Sequence, residues 1–146
     1  MAYLIKEKFN LLDLAPPRNQ SSKLVLIVEP EEYLLSLYAH YLTNHSFKVV
    51  SCLQPSVLHK SISNHKPDLL IVNTGIFSQF GMLVEALKGL RDEFRSLPMV
   101  TIGYNLNGQE LGKLMAAGIS SHIDRKLTRP MDLVHVVKVI LNNDKN

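Results

Sequence analysis

The chain has 146 residues, of which 46% are apolar and 20% charged, enough to build one buried core and too apolar for wholesale disorder. Sixteen basic against 13 acidic residues leave a net charge of +3, a mild and scattered excess that does not make nucleic acid the expected partner. A single cysteine, Cys52, excludes an internal disulfide framework and a multi-cysteine zinc site, and it fits a reducing, cytoplasmic setting.

In chain order, residues 1–14 mix Leu4, Ile5, Phe9, Leu11, Leu12 and Leu14 with Lys6, Glu7, Lys8 and Asp13, a pattern open to a short helix or an added strand. The early charges argue against a signal peptide. Ala15 to Ser22, with its paired prolines, reads as a linker, so 1–22 form an arm and linker and 23–146 the folded domain. Leu24–Val28 is a continuous branched run, as expected of a strand buried on both faces. A helix over Glu31–Asn44 follows, with Leu34, Leu37, Tyr38, Tyr41 and Leu42 on one stripe. Next come a strand at Lys48–Cys52, a short helix at Val57–Ser63, a buried strand at Leu69–Val72 and a helix from Gly81 to Phe94. The remaining segments are a strand at Met99–Ile102, a weak helix at Leu111–Ala117, a strand at Ile119–Asp124 and a valine-rich helix at Leu133–Leu141. The longest apolar runs are far too short to span a bilayer. Only Asn142–Asn146 follow, so a stand-alone module is expected.

Strands alternating with helices predict an α/β fold, a doubly wound parallel sheet of five strands with five helices on its two faces. Ligands of such sheets sit at the carboxyl ends of the strands, near the topological switch point. The positions just after Val28, Val72, Ile102 and Asp124 are therefore where chemistry is sought.

Those positions carry a resemblance. LVLIVEPEE, from Leu24 to Glu32, resembles the opening strand of the receiver domains of two-component response regulators, which ends in paired acidic residues. DLLIVN, from Asp68 to Asn73, resembles the strand that delivers the phospho-accepting aspartate, and Gly81 lies where the family places a glycine opening its third helix. PMVTIGY, from Pro98 to Tyr104, is similar to the strand that closes with Thr or Ser, and Gly118 to Lys126 to the segment that closes with Lys-Pro. The match runs from about Lys23 to Asn142 and implies a CheY-like, flavodoxin-like fold of strand order 2-1-3-4-5.

Receiver chemistry, a step of the phosphorelay, moves a phosphoryl group onto an aspartate beside a magnesium ion held by hard oxygen ligands. The acceptor position here is Asn73, whose carboxamide cannot become an acyl phosphate. The acidic pair maps onto Glu29 and Pro30 with Glu31 beside them, the hydroxyl position onto Gly103 and the lysine position onto Arg125. Every functional position departs from the pattern, so the resemblance implies the fold without the activity. Plainer readings stand beside this one: Asn73 as a strand-terminal residue satisfying backbone groups, Glu29, Glu31 and Glu32 as a solvated helix start, and Arg125-Lys126 as an exposed basic pair. A metal site from Glu29 and Glu31 is a further alternative. The histidines His40, His45, His59, His65 and His135 have no zinc-ligand spacing, and Cys52 reads as a small buried side chain.

The expectation is thus a degenerate pseudo-receiver, not an enzyme and without a cofactor, that acts in signal transduction through contact with a protein partner. Its candidate surface is Tyr104, Leu111, Lys113 and His122, the last where the family carries a switching aromatic. A homodimer is plausible, because the apolar residues of the arm need burial. The alternative is a small-ligand or anion binder using the vacated pocket between Glu29, Asn73, Gly103 and Arg125. In the first reading Glu29 stands opposite Arg125, with Asn73 bonded to one of them.

Overall fold

The computed structural model describes residues 22–143. Its elements are β1 (Leu24–Val28), α1 (Glu32–Asn44), β2 (Lys48–Cys52), α2 (Leu58–His65), β3 (Leu69–Asn73), α3 (Phe80–Glu93), β4 (Met99–Gly103), α4 (Gly108–Ala116), β5 (Ser121–Asp124) and α5 (Pro130–Asn143). Short 3-10 turns lie at Pro55–Val57, Thr74–Ile76 and Arg125–Leu127. The strands pair in parallel in the order β2-β1-β3-β4-β5, the doubly wound topology expected. The arm and nearly all of the linker lie outside the described residues.

Alternation along the strands sorts the core into two layers. Val25, Ile27, Leu69, Ile71, Val100 and Ile102 face Leu35, Tyr38 and Leu42 of α1 and Leu133, Val134 and Val137 of α5. Leu26, Val28, Leu70, Val72 and Met99 face Leu58 and Ile62 of α2, Leu83 and Leu87 of α3 and Leu114 of α4. Full burial of each such side chain contributes about 1.5–3 kcal/mol relative to exposure, before ordering costs. Because both faces are covered, β1, β3 and β4 can be almost wholly apolar. Among the described residues no helix is long and apolar enough to cross a membrane.

Three elements start two or more residues away from the sequence expectation, each for a local reason. α4 begins at Gly108 because Asn107 caps it: its Oδ1 accepts from the Glu110 amide at 2.8 Å, and Glu110 Oε1 accepts from the Asn107 amide at 3.1 Å. β5 begins at Ser121, after Gly118 turns the chain at φ 106°. A Cβ on Gly118 would strike the Arg91 side chain, whose guanidinium donates to the carbonyls of Phe94, Arg95, Leu97 and Gly118 at 2.7–3.2 Å. α5 begins at Pro130, whose fixed φ and missing N–H suit a first turn. The chain leaves β1 and β3 toward opposite halves of the sheet, so Glu29 and Asn73 meet at the switch point.

Candidate functional site

Glu29 continues β1 and is 1% exposed. A carboxylate so placed is stable only if its oxygens are bonded, and both are. Asn73 Nδ2 donates to Oε1 at 2.9 Å and the Glu31 backbone N–H donates to Oε2 at 3.1 Å. Pairing of Val28 with Val72 sets Asn73 beside Glu29. Asn73 Oδ1 in turn accepts from the Gly75 amide at 2.6 Å and starts the turn Thr74–Ile76. Asn73 is thus a strand-terminal residue that satisfies a backbone group and also the partner of Glu29. An aspartate could accept from Gly75 in the same way but could give nothing to Glu29. Pro30 and Glu31 are exposed, and Pro30 brings no side-chain oxygen.

Magnesium needs several free, hard oxygens in near-octahedral array. Here both Glu29 oxygens and the Asn73 oxygen face N–H donors of the chain itself, so these residues do not fit a magnesium ion. Among the described residues no group of three His, Cys, Asp or Glu side chains converges as a metal centre would.

Gly103, the last residue of β4, is buried, but the space beside it is not vacant. A Cβ built there would collide with Thr74 Oγ1 and stand 3.3 Å from Thr74 Cβ. A hydroxyl from the neighbouring turn, Thr74 Oγ1, fills the space that a side chain on Gly103 would take.

Arg125 departs from expectation. Among the described residues it makes no ion pair with Glu29 within 4.0 Å; its Nη2 donates to the Tyr104 hydroxyl at 2.7 Å and its guanidinium lies 4.7 Å from the Tyr104 ring centre. Each Glu29 oxygen already accepts from an N–H group, and an outward cation–π contact spares Arg125 full desolvation. Partial burial works against the Arg125 charge, but the Tyr104 hydroxyl, then Glu29 and Tyr38, outweigh it and raise its pKa. Tyr38 of α1 is raised too, first by burial and then by Glu29, with Arg125 opposing. Glu29, Tyr38 and Arg125 therefore share one field although Glu29 and Arg125 do not touch.

His122 lies on β5 opposite Thr101 of β4. Its Nε2 is 3.0 Å from the Tyr104 carbonyl and its Nδ1 2.9 Å from Thr101 Oγ1. A carbonyl only accepts, so Nε2 carries the proton; in the neutral ring the Thr101 hydroxyl then donates to Nδ1. His122 is thereby a strut between two strands and the β4–α4 connection. Tyr104 is 60% exposed, Leu111 half-buried and Lys113 exposed on α4. Leu127, 81% exposed in the turn after β5, adds an exposed apolar side chain that the sequence reading missed. Cys52 is buried, and burial raises its thiol pKa.

Besides Leu127, three residues escaped the sequence reading as members of the site: Thr74, Thr101 and Tyr38. Thr74 carried a signal, a hydroxyl next to an Asx-turn former and a glycine on the neighbouring strand. Thr101 and Tyr38 were legible only as core positions.

No family model and no curated protein matches the chain. Solved structures do match it in fold. A response regulator from Thermotoga maritima is 17% identical over 84% of this chain and 99% of its own, with a TM-score of 0.75. A CheY-like receiver domain protein from Methanospirillum hungatei is 18% identical over 86% and 98%, with a TM-score of 0.76. The BeF3-activated N-terminal receiver domain of Klebsiella pneumoniae RstA is 22% identical over 80% and 96%, with a TM-score of 0.70. The fold is that of CheY-like receiver domains.

Proposed function

We propose that this chain is a pseudo-receiver: a signalling module that works by protein–protein contact and takes up no phosphoryl group at the usual strand end. The observation that carries this reading is the Glu29–Asn73 hydrogen bond. It puts an amide donor where an acceptor carboxylate would stand and uses the acidic residue that would otherwise hold a cation. The partner surface runs from Tyr104 over Leu111 and Lys113 of α4 to His122 and Leu127, with Arg125 bracing Tyr104. Thr74 beside Gly103 and the outward turn of Arg125 support protein contact over a small anion held between Asn73 and Arg125.

The test is incubation with acetyl phosphate and magnesium, followed by intact-mass measurement and thermal melting. No phosphate increment and no magnesium-dependent rise in Tm are expected. A stoichiometric, base-labile phosphate would overturn the reading and mean that another carboxylate serves.

A further inference from the structure

We propose that Thr74 and Gly103 form a matched pair that locks the connection 104–107, and with it the Tyr104 face, in one arrangement without any ligand. The proposal rests on the pseudo-receiver reading and deepens it, by naming what holds the partner surface constant.

Three observations converge on the pair. Thr74 lies so close over Gly103 that a Cβ there would strike its Oγ1, whereas Thr74 Cβ, at 3.3 Å, would need to give by only a few tenths of an ångström and Cγ2, at 3.6 Å, not at all, so the conflict lies with the hydroxyl. Thr74 is also anchored from behind, since its turn hangs on the Asn73 Oδ1–Gly75 bond while Asn73 is tied to Glu29. A Cβ on Gly75 would stand only 3.2 Å from Asn73 Oδ1, so a glycine suits this turn. Finally, Gly103 is where β4 ends and Tyr104 begins, and the Tyr104 carbonyl is held by His122 while its ring is held by Arg125. A continuous line of contacts thus runs from buried Glu29, through Asn73, Thr74 and Gly103, to an exposed aromatic. Interiors packed in this way do not deform continuously, so one fixed residue fixes the next.

The experiment uses the full chain with Gly103→Ala, Thr74→Ala, the double variant, and Thr74→Ser as the conservative control, read by thermal melting and by amide exchange at residues 104–107. Gly103→Ala is expected to lower Tm by about 5–10 °C through overpacking. Adding Thr74→Ala should recover at least half of that loss. Thr74→Ala alone should speed exchange at 104–107 on the order of tenfold while leaving β1 unchanged, and Thr74→Ser should behave as the parent. Should Gly103→Ala fail to fold, the exchange rates of the two Thr74 variants carry the test. A Gly103→Ala protein as stable as the parent, a double variant that loses the sum of the singles, or parental exchange in Thr74→Ala would each overturn the lock. Acetyl phosphate added to the same samples separates the two ideas. Uptake by the parent removes the pseudo-receiver reading and leaves the coupling standing, whereas failed coupling without uptake removes only the lock.

Discussion

The carboxyl edge of the sheet is built differently at its middle, the inner end of the site, and toward β5, its outer end. At β1 and β3, Glu29 is 1% exposed and Asn73 7% exposed, and the oxygens of both are bonded within the chain. At β4 and β5, Tyr104 is 60% exposed and its ring is held by Arg125. The inner end spends its polar groups on one another, where removing a partner strands a buried charge. The outer end spends them on presenting an aromatic to solvent. In the reading proposed here, the end that would do chemistry has become structural and the end that meets partners has been kept.

The strongest way to break that contrast is Asn73→Asp. It sets a carboxylate against buried Glu29 and removes the donor, so urea melts at pH 7 in EDTA should show a loss of about 2–4 kcal/mol. Acidification should recover part of it as one carboxyl takes a proton. Combined with Pro30→Asp, the loss should become partly reversible by magnesium, which would bind only the folded state. Asn73→Asp alone should gain little from the ion. A double variant that is stable in EDTA and blind to magnesium would show that these positions are not an acidic site.

A smaller effect tests the shared field. Tyr38 has its pKa raised above 10.0, by burial first and then by Glu29. The folded state therefore favours the neutral phenol: this contribution is fully present below the ordinary value and is lost as pH rises through the raised one. Tyr38→Phe should flatten the alkaline fall of stability in urea melts across that range. An unchanged alkaline limb would show that neither burial nor Glu29 holds the Tyr38 proton in the folded state.

The smallest effect belongs to the outer end. Arg125→Ala should cost only about 0.5–1 kcal/mol in the same melts, the usual worth of a cation–π contact near solvent. A loss as large as that of Asn73→Asp would make the outer end structural as well and erase the contrast.

The fold was legible because β1 and β3 are unbroken apolar runs separated by amphipathic helices, and burial on both faces leaves little else for such runs to be. Within the site, Asn73, Glu29 and Gly103 were legible by position. Their bonding was not. Arg125 was expected opposite Glu29 because unlike charges attract, but the sequence does not show that the Asn73 and Glu31 N–H groups reach the carboxylate first. Thr74 was missed for a related reason: its partner is an absence of side chain on another strand, and only the register of β3 against β4 brings them together. The helix α4 was placed late because Gly108 and Gly112 weaken its pattern, while its start is set by the Asn107–Glu110 cap.

The closure of Glu29 by N–H groups of its own chain has a consequence for information transfer. Folding then involves no exchange of a divalent ion at this site, so neither chelation nor the ionic make-up of the surroundings should shift the folded population. Under the proposed function, a surface held by such a site would report neither ion level nor phosphate supply. In that reading, what this site conveys to a partner is how many copies of the molecule are present and not its phosphorylation state.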